Sequence, residues 1–297
     1  QVTDIAAHVS GDLVPISGID ASLARLTSYG AVTSEAALFA SSMQTALQTI
    51  DGLASDLGQS LLSATTGAAT ARLQDVAGIA RQSLGTALTA LNSRVGDRAI
   101  FSGTKTNVTP LVDADTFLAA LEHVTAGATS PAQADAAITA WFDDPQGYST
   151  LAYQGGAALA DFSVAAGEEA RLDITANDPT VKGTLKGLAM AALLDRGLFQ
   201  DQAAAQLEFA ARAGSNLLQN QVDRTGLAAR LGGAEAQIEA ASARNSAESA
   251  GLQIARNAIT AADPYETASR LQETEGQLEL LYTITARLAR LSLVDYL

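Results

Sequence analysis

AADPYETASRLQETEGQLELLYTITARLARLSLVDYL, residues 261–297, is the stretch whose reading decides the fold. Asp263 offers a capping carboxylate, Pro264 has the φ of a first helical position, and Glu266 can reach back to complete a capping box. From there Leu271, Leu278, Leu281, Tyr282, Ile284, Leu288, Leu291 and Val294 recur at three- and four-residue spacing, which places them on one side of a helix. Glu266, Glu273, Glu275 and Glu279 lie early and Arg287 and Arg290 late, in the sense the helix dipole favours, and Glu266 is one turn from Arg270. Such a helix runs roughly 45 Å at about 1.5 Å per residue, more than a compact domain needs. The stripe therefore predicts association, with Tyr282, Tyr296 and Leu297 at its margins; the alternative is that it packs inside its own chain.

Outward from this helix, composition narrows the class. The 297 residues are 47% hydrophobic and only 5% aromatic, which points to closely packed helices rich in Ala and Leu. A net charge of -14 argues against a phosphate backbone or an anionic membrane surface as partner. Without cysteine there is no disulfide, thiolate metal site or thiol nucleophile; this suits the cytosol or export without oxidative folding. No apolar run reaches the ~20 residues of a membrane span, and no basic, then apolar, then small-residue leader opens the sequence. Gln1 is expected to lie inside a longer natural chain.

Proline divides what remains. Pro110, Pro131, Pro145 and Pro179 fall in one middle stretch, together with Phe117, Trp141, Phe142, Tyr148, Tyr153 and Phe162. The expected division is an N-terminal arm of a helical bundle (1–105), a small α+β insert (106–195), a C-terminal arm (196–260) and the terminal assembly helix (261–297). The fold class is mainly α: an elongated antiparallel helical bundle carrying an insert of short helices and a β-hairpin.

In the first arm, Gly11, Pro15 and Gly18 mark an irregular lead-in, and Asp20 caps a helix to about Ser63 with Leu47, Ile50, Leu53, Leu57 and Leu61 on its apolar face. Thr66 and Gly67 break the pattern. A second helix carries Leu73, Val76, Ala80, Leu84, Ala87, Leu91 and Val95, antiparallel to the first across a short turn. In the returning arm Leu231, Ile238, Asn245, Leu252 and Ile259 stand seven apart, a heptad seam with Ala234, Ala241, Ala255 and Ala262 at the matching positions. Asn245 either fixes register or faces solvent, and Gly232-Gly233 permits a kink.

The insert reads differently. A helix covers about 115–125, and Ser130, Pro131 and Gln133 form a capping box for another ending near Trp141. Asp143, Asp144, Pro145 and Gly147 make a turn. Residues 161–165 and 170–175 alternate as two strands around Gly167, with Phe162, Val164, Leu172 and Ile174 on the apolar side. Asp178 and Pro179 open a helix through Leu188, Met190, Leu193 and Leu194 that returns the chain to the bundle.

Chemistry-bearing patterns are sparse. His8 and His123 lie in different segments with no carboxylate or Ser at a telling distance, which supports neither a triad nor a metal site. Gly155-Gly156 and Gly232-Gly233 lack the strand, lysine or third glycine of a phosphate loop. Asp143-Asp144 offers two oxygens to calcium but reads better as a solvated turn, and Trp141-Phe142 better as core than as a stacking platform. No catalytic residue, cofactor or metal is expected, and the sequence reads as a structural protein.

Three stretches carry a specific resemblance. Asp97-Arg-Ala-Ile-Phe-Ser-Gly-Thr-Lys-Thr106 resembles the loop after the second helix of bacterial flagellar hook-filament junction proteins. Asp263-Pro264-Tyr265-Glu266-Thr267-Ala268 resembles the start of the C-terminal helix in the flagellin superfamily, and Leu231-Gly232 with Gln237-Ile238-Glu239 the glycine-containing heptad helix before it. Leu291-Ser292-Leu293-Val294-Asp295-Tyr296-Leu297 is similar to the terminus of junction proteins of the hook-associated protein 3 type. The resemblance covers both arms well and the insert loosely. It implies a non-enzymatic subunit joining hook to filament, or alternatively flagellin itself. It further implies self-assembly into a ring, contact with flagellin and the other junction protein, an export chaperone, and export unfolded through the flagellar type III apparatus to the outside of the cell. The family's N-terminal heptad segment is not found before Gln1, so the helix at 261–297 is expected to be mobile or paired with another copy.

Overall fold

The computed structural model describes residues 14–66, 70–260 and 264–294, with side chains for 16–66, 72–260, 268–269 and 271–288. The elements in order are α1 (Val14–Thr66), α2 (Thr70–Leu91), β1 (Arg94–Val95), β2 (Arg98–Ala99), α3 (Ala114–Thr125), α4 (Pro131–Asp143), α5 (Tyr148–Leu151), β3 (Phe162–Ala165), β4 (Glu168–Ala170), α6 (Pro179–Asp195), α7 (Ala203–Gln219), α8 (Gln221–Thr260) and α9 (Pro264–Val294). The class is mainly α with two small antiparallel hairpins. The described residues fall into two compact units: 28–245, and 14–27 with the described part of 246–297.

The first unit is built around α6. Asp178 caps it, accepting from Thr180 N–H at 2.9 Å, and Pro179 follows at the start of the helix, as the sequence predicts. Leu185 and every residue from Gly187 to Leu194 are buried, so the helix is apolar all round, the pattern of an element enclosed by others. It packs against α2, α7, α4 and α3. Glycines allow the close approaches: a Cβ on Gly187 would lie 2.6 Å from Leu217 Cδ2, and one on Gly214 3.1 Å from Gly58 O. The predicted faces are those buried, with Leu47, Ile50, Leu57 and Leu61 of α1 and Leu73, Val76, Ala80, Leu84, Ala87 and Leu91 of α2 in the core; Leu53 packs against it partly exposed.

Several expectations need correction. α1 begins at Val14, not at Asp20, because a proline in a helix's first turn gives up an amide that has no intrahelical acceptor anyway. Gly18 is helical, while Gly11 and Gly67 lie outside the described residues. α2 ends at Leu91, and Val95 belongs to β1, where Gly96 (φ 56°) turns the chain so that Val95 faces Arg98. The second strand of the larger hairpin is 168–170, not 170–175. Gly167 (φ 73°) makes the turn so tight that pairing starts immediately after it, Ala165 with Glu168, and ends at Phe162 with Ala170. Leu172 and Ile174 continue into the core without a strand partner. Gln133 N–H donates to Ser130 Oγ as expected, but Gln133 Oε1 accepts from Thr129 N–H at 2.9 Å, one residue before the cap. α8 continues as helix through Gly232-Gly233.

Phe117, Trp141, Phe142 and Tyr148 cluster within the core of this unit; Trp141 meets Phe117 edge-on at 5.6 Å and Phe142 stacks on Tyr148 at 5.1 Å. Burial raises the Tyr148 phenol well above its ordinary value, and its hydroxyl donates to Ala176 O at 2.6 Å.

Candidate assembly surface

In the second unit, Asp20 near the start of α1 accepts from Arg256 Nε of α8 at 2.7 Å. Ile16 and Leu26 of α1 are buried there, whereas Leu252 and Ile259 of α8 are half-exposed. α9 starts at Pro264 as predicted; the expected cap Asp263, like Tyr296 and Leu297, lies outside the described residues, and the side chains of Glu266, Arg270, Leu291 and Val294 are not described. The rest of the predicted stripe is uncovered: Leu271 is 60% exposed, Leu278 48%, Leu281 58%, Tyr282 72%, Ile284 46% and Leu288 61%. Leu280, absent from that stripe, is also exposed. Scattered surface leucines are ordinary, but this many on one helix leave an unusually apolar exposed surface.

The other predicted seam residues sit in the first unit. Leu231, Ile238 and Asn245 are buried along one side of α8. Asn245 neither faces solvent nor meets a like residue: its Nδ2 donates to Val164 O of β3 at 2.8 Å. Gln237 Nε2 donates to Glu169 O at 3.0 Å, and Arg244 pairs with Glu168. α8 thus carries a row of polar groups that seats the β3–β4 hairpin, a partnership the heptad alone did not reveal.

The segment 97–106 follows β1 and leads towards α3. Phe101 and Ser102 have no exposed surface, and Ser102 Oγ donates to Ala99 O at 3.0 Å. Ala176 N–H donates to Phe101 O at 2.9 Å, Gly156 N–H to Ser102 O at 2.8 Å and Thr104 N–H to Ala157 O at 2.8 Å. Gly103 has φ 59°, and a Cβ there would lie 2.0 Å from Ala157 O, so glycine is required twice over. Gly155 and Gly156 are its counterparts, lying against Ser102 O and Thr104 Oγ1 where a Cβ would intrude. These glycines serve backbone packing.

Among the described residues no group of three or more His, Asp or Glu is placed to hold a metal. His123 is an exposed residue in the last turn of α3, and His8 lies outside the description. A cleft lined by Asp135, Lys186, Glu208 and Arg212 is open and its charges are mutually paired, Lys186 with Asp135 at 3.1 Å and Arg212 with Glu208 at 2.9 Å. No described helix is long and apolar enough to cross a membrane.

Residues 217–297 match the family model of the bacterial flagellin C-terminal helical region, a span that takes in the end of α7 and the whole of α8 and α9. No curated protein matches the chain by sequence. Two solved structures share the fold: a flagellar hook-associated protein from Vibrio parahaemolyticus, with TM-score 0.51 and 15% identity over 84% of this chain and 99% of the other, and Bacillus cereus FlgL, with TM-score 0.52 and 13% identity over 81% and 100%. The fold is therefore one shared with flagellar proteins, and its C-terminal helices α8 and α9 are similar to the C-terminal helical region of bacterial flagellin.

Proposed function

We propose that this chain joins the hook of the bacterial flagellum to its filament, as a junction subunit of the hook-associated protein 3 type. The observation that carries the reading is the uncovered stripe Leu271, Leu278, Leu281, Tyr282, Ile284 and Leu288, on a helix within the flagellin-type C-terminal region. Leu291, Val294, Tyr296 and Leu297 extend it in sequence. Burying a Leu or Ile side chain fully contributes about 1.5–3 kcal/mol. With roughly half of that still to be gained at each of Leu271, Leu278, Leu281, Ile284 and Leu288, assembly recovers about 4–8 kcal/mol per subunit before association costs. Repetition around a ring multiplies the gain.

In this reading the subunits form a ring through α9, with flagellin on one side and the other junction protein on the other; a chaperone escorts the chain, which is exported through the flagellar type III apparatus and works outside the cell. The seam Leu231, Ile238, Asn245, Leu252 and Ile259 holds the C-terminal arm, and the region 106–195 is an insert on the bundle. Similarity to a hook-associated protein and to FlgL supports the junction role over flagellin, as do the 97–106 loop and the Asp295-Tyr296-Leu297 ending. Deleting the gene tests it. A junction subunit predicts intact hooks, no filaments and flagellin released into the medium; short or few filaments would instead identify a filament subunit.

A further inference from the structure

Helices α7 and α8 are separated by one residue, Asn220. Its backbone, at φ -73° and ψ -3°, remains right-handed and differs from a helix mainly by about 40° in ψ. The burial pattern ignores the interruption. Ala210, Leu217, Arg224, Leu231, Ile238 and Asn245 follow every seventh residue and are all buried, so one heptad seam runs from α7 into α8 in a single phase. The odd member is Arg224, a charge in the seam with 6% of its surface exposed.

In an uninterrupted helix the carbonyl of Leu217 would accept from the amide of Gln221. Here it accepts from Arg224 Nη1 at 2.8 Å. The same guanidinium donates through Nε to Asp51 Oδ1 at 2.6 Å and through Nη2 to Ser55 Oγ at 3.3 Å, both on α1. The first amide of α8 to bond back is that of Arg224, to Asn220 O at 3.0 Å, which leaves Gln221, Val222 and Asp223 in the first turn of a new helix. The joint is tightly seated: a Cβ on Gly183 of α6 would lie 3.0 Å from Asn220 Nδ2.

We propose that Arg224 is the positioning residue of this joint. It takes the Leu217 carbonyl out of the helix and so holds α7 and α8 apart in a segment whose sequence period is that of one helix. Removing the guanidinium lets Leu217 O bond the Gln221 amide, and residues 203–260 close into one helix. An apolar replacement orphans nothing: the Asp51 side chain keeps 45% of its surface in water, and the Ser55 hydroxyl can turn to the carbonyl four residues back. The inference does not depend on the assembly reading.

Residue-resolved amide exchange on the whole chain tests it, comparing wild type, Arg224→Leu and Arg224→Lys. In wild type the amides of 221–223 exchange at least about tenfold faster than those of 225–230. In Arg224→Leu they slow to match those neighbours, and unfolding stays cooperative with a midpoint equal to or above wild type, as is common when a buried ion pair gives way to apolar packing. Arg224→Lys, whose single ammonium cannot span Asp51 and Leu217 O together, falls between the two. The proposal is overturned if 221–223 are already slow in wild type, if they stay fast in Arg224→Leu, if that variant no longer folds, or if Arg224→Lys lies outside the interval.

Discussion

Replacing Gly103 by Ala perturbs the segment 97–106, between α2 and α3, at its least tolerant point. The left-handed backbone, φ 59°, costs a residue with a Cβ about 1–2 kcal/mol. The new methyl would also stand 2.0 Å from Ala157 O and 2.8 Å from Gly156 O, backbone atoms that cannot rotate away. Relief requires separating the 102–104 and 156–157 segments, which breaks the bonds Gly156 N–H to Ser102 O and Thr104 N–H to Ala157 O. At about 0.5–1.5 kcal/mol each, the two bonds bring the total to roughly 2–5 kcal/mol. A domain of this size loses about 2–4 °C per kcal/mol, so Tm falls by roughly 4–20 °C. The sole tryptophan, Trp141, is buried in the same unit and reports the transition by fluorescence. Gly226→Ala is the control: nothing lies within 4 Å of a Cβ there, and the helix gains up to about 1 kcal/mol. A Gly103→Ala midpoint within a degree or two of wild type would refute the reasoning.

Three further outcomes follow from particular contacts. Asp113 caps α3, accepting from Thr116 N–H at 2.9 Å, and chiefly that backbone bond lowers its pKa. Its contribution is complete above the ordinary carboxylate value and lost as pH falls through the lower folded value. The stability difference between wild type and Asp113→Asn should therefore be constant above about pH 5 and shift below it; a constant difference down to pH 2 contradicts this. Tyr148, whose phenol is raised by burial, should show no tyrosinate absorbance in the folded state near its ordinary value of about 10. That contribution is complete below pH 10 and lost as pH rises through the folded value. Tyr148→Phe should accordingly lose about 1–2 kcal/mol near neutral pH, from orphaning Ala176 O, and narrow the gap to wild type at alkaline pH. Asn245→Leu leaves the carbonyl of fully buried Val164 without its 2.8 Å donor, costs about 1–3 kcal/mol and speeds amide exchange in 162–170; unchanged hairpin exchange would sink the docking role.

Where local rules and tertiary packing agree, the sequence was readable. The caps at Ser130 and Asp178, the apolar faces of α1 and α2 and the buried side of α8 at Leu231 and Ile238 all follow from residue type and spacing. Errors arose where one pattern masked another. Val95 continues the 3.6-residue period of α2, which hid the small hairpin turned by Gly96; the positive-φ glycine followed by Asp97 was the available signal. Pro15 and Gly18 read as breakers, yet a proline is harmless in a first turn. An arginine at 224 does not look like a seam residue, so the heptad is plain only from Leu231, although the seven-residue count through Arg224 to Leu217 carries the signal of the α7–α8 joint. The polar seat for the hairpin, Gln237, Arg244 and Asn245, depends on a chain crossing that no local pattern encodes.

The central claim is that the stripe on α9 is satisfied only by neighbouring subunits. Because the chain has no cysteine, Leu278→Cys, Leu281→Cys and Leu288→Cys each place one thiol on that stripe, and the rate of its alkylation reads its cover. Rapid alkylation is expected at all three positions in the monomer, with protection by at least about tenfold once the subunits have assembled on isolated hooks. Thiols already protected in the monomer, or equally reactive after assembly, would contradict it.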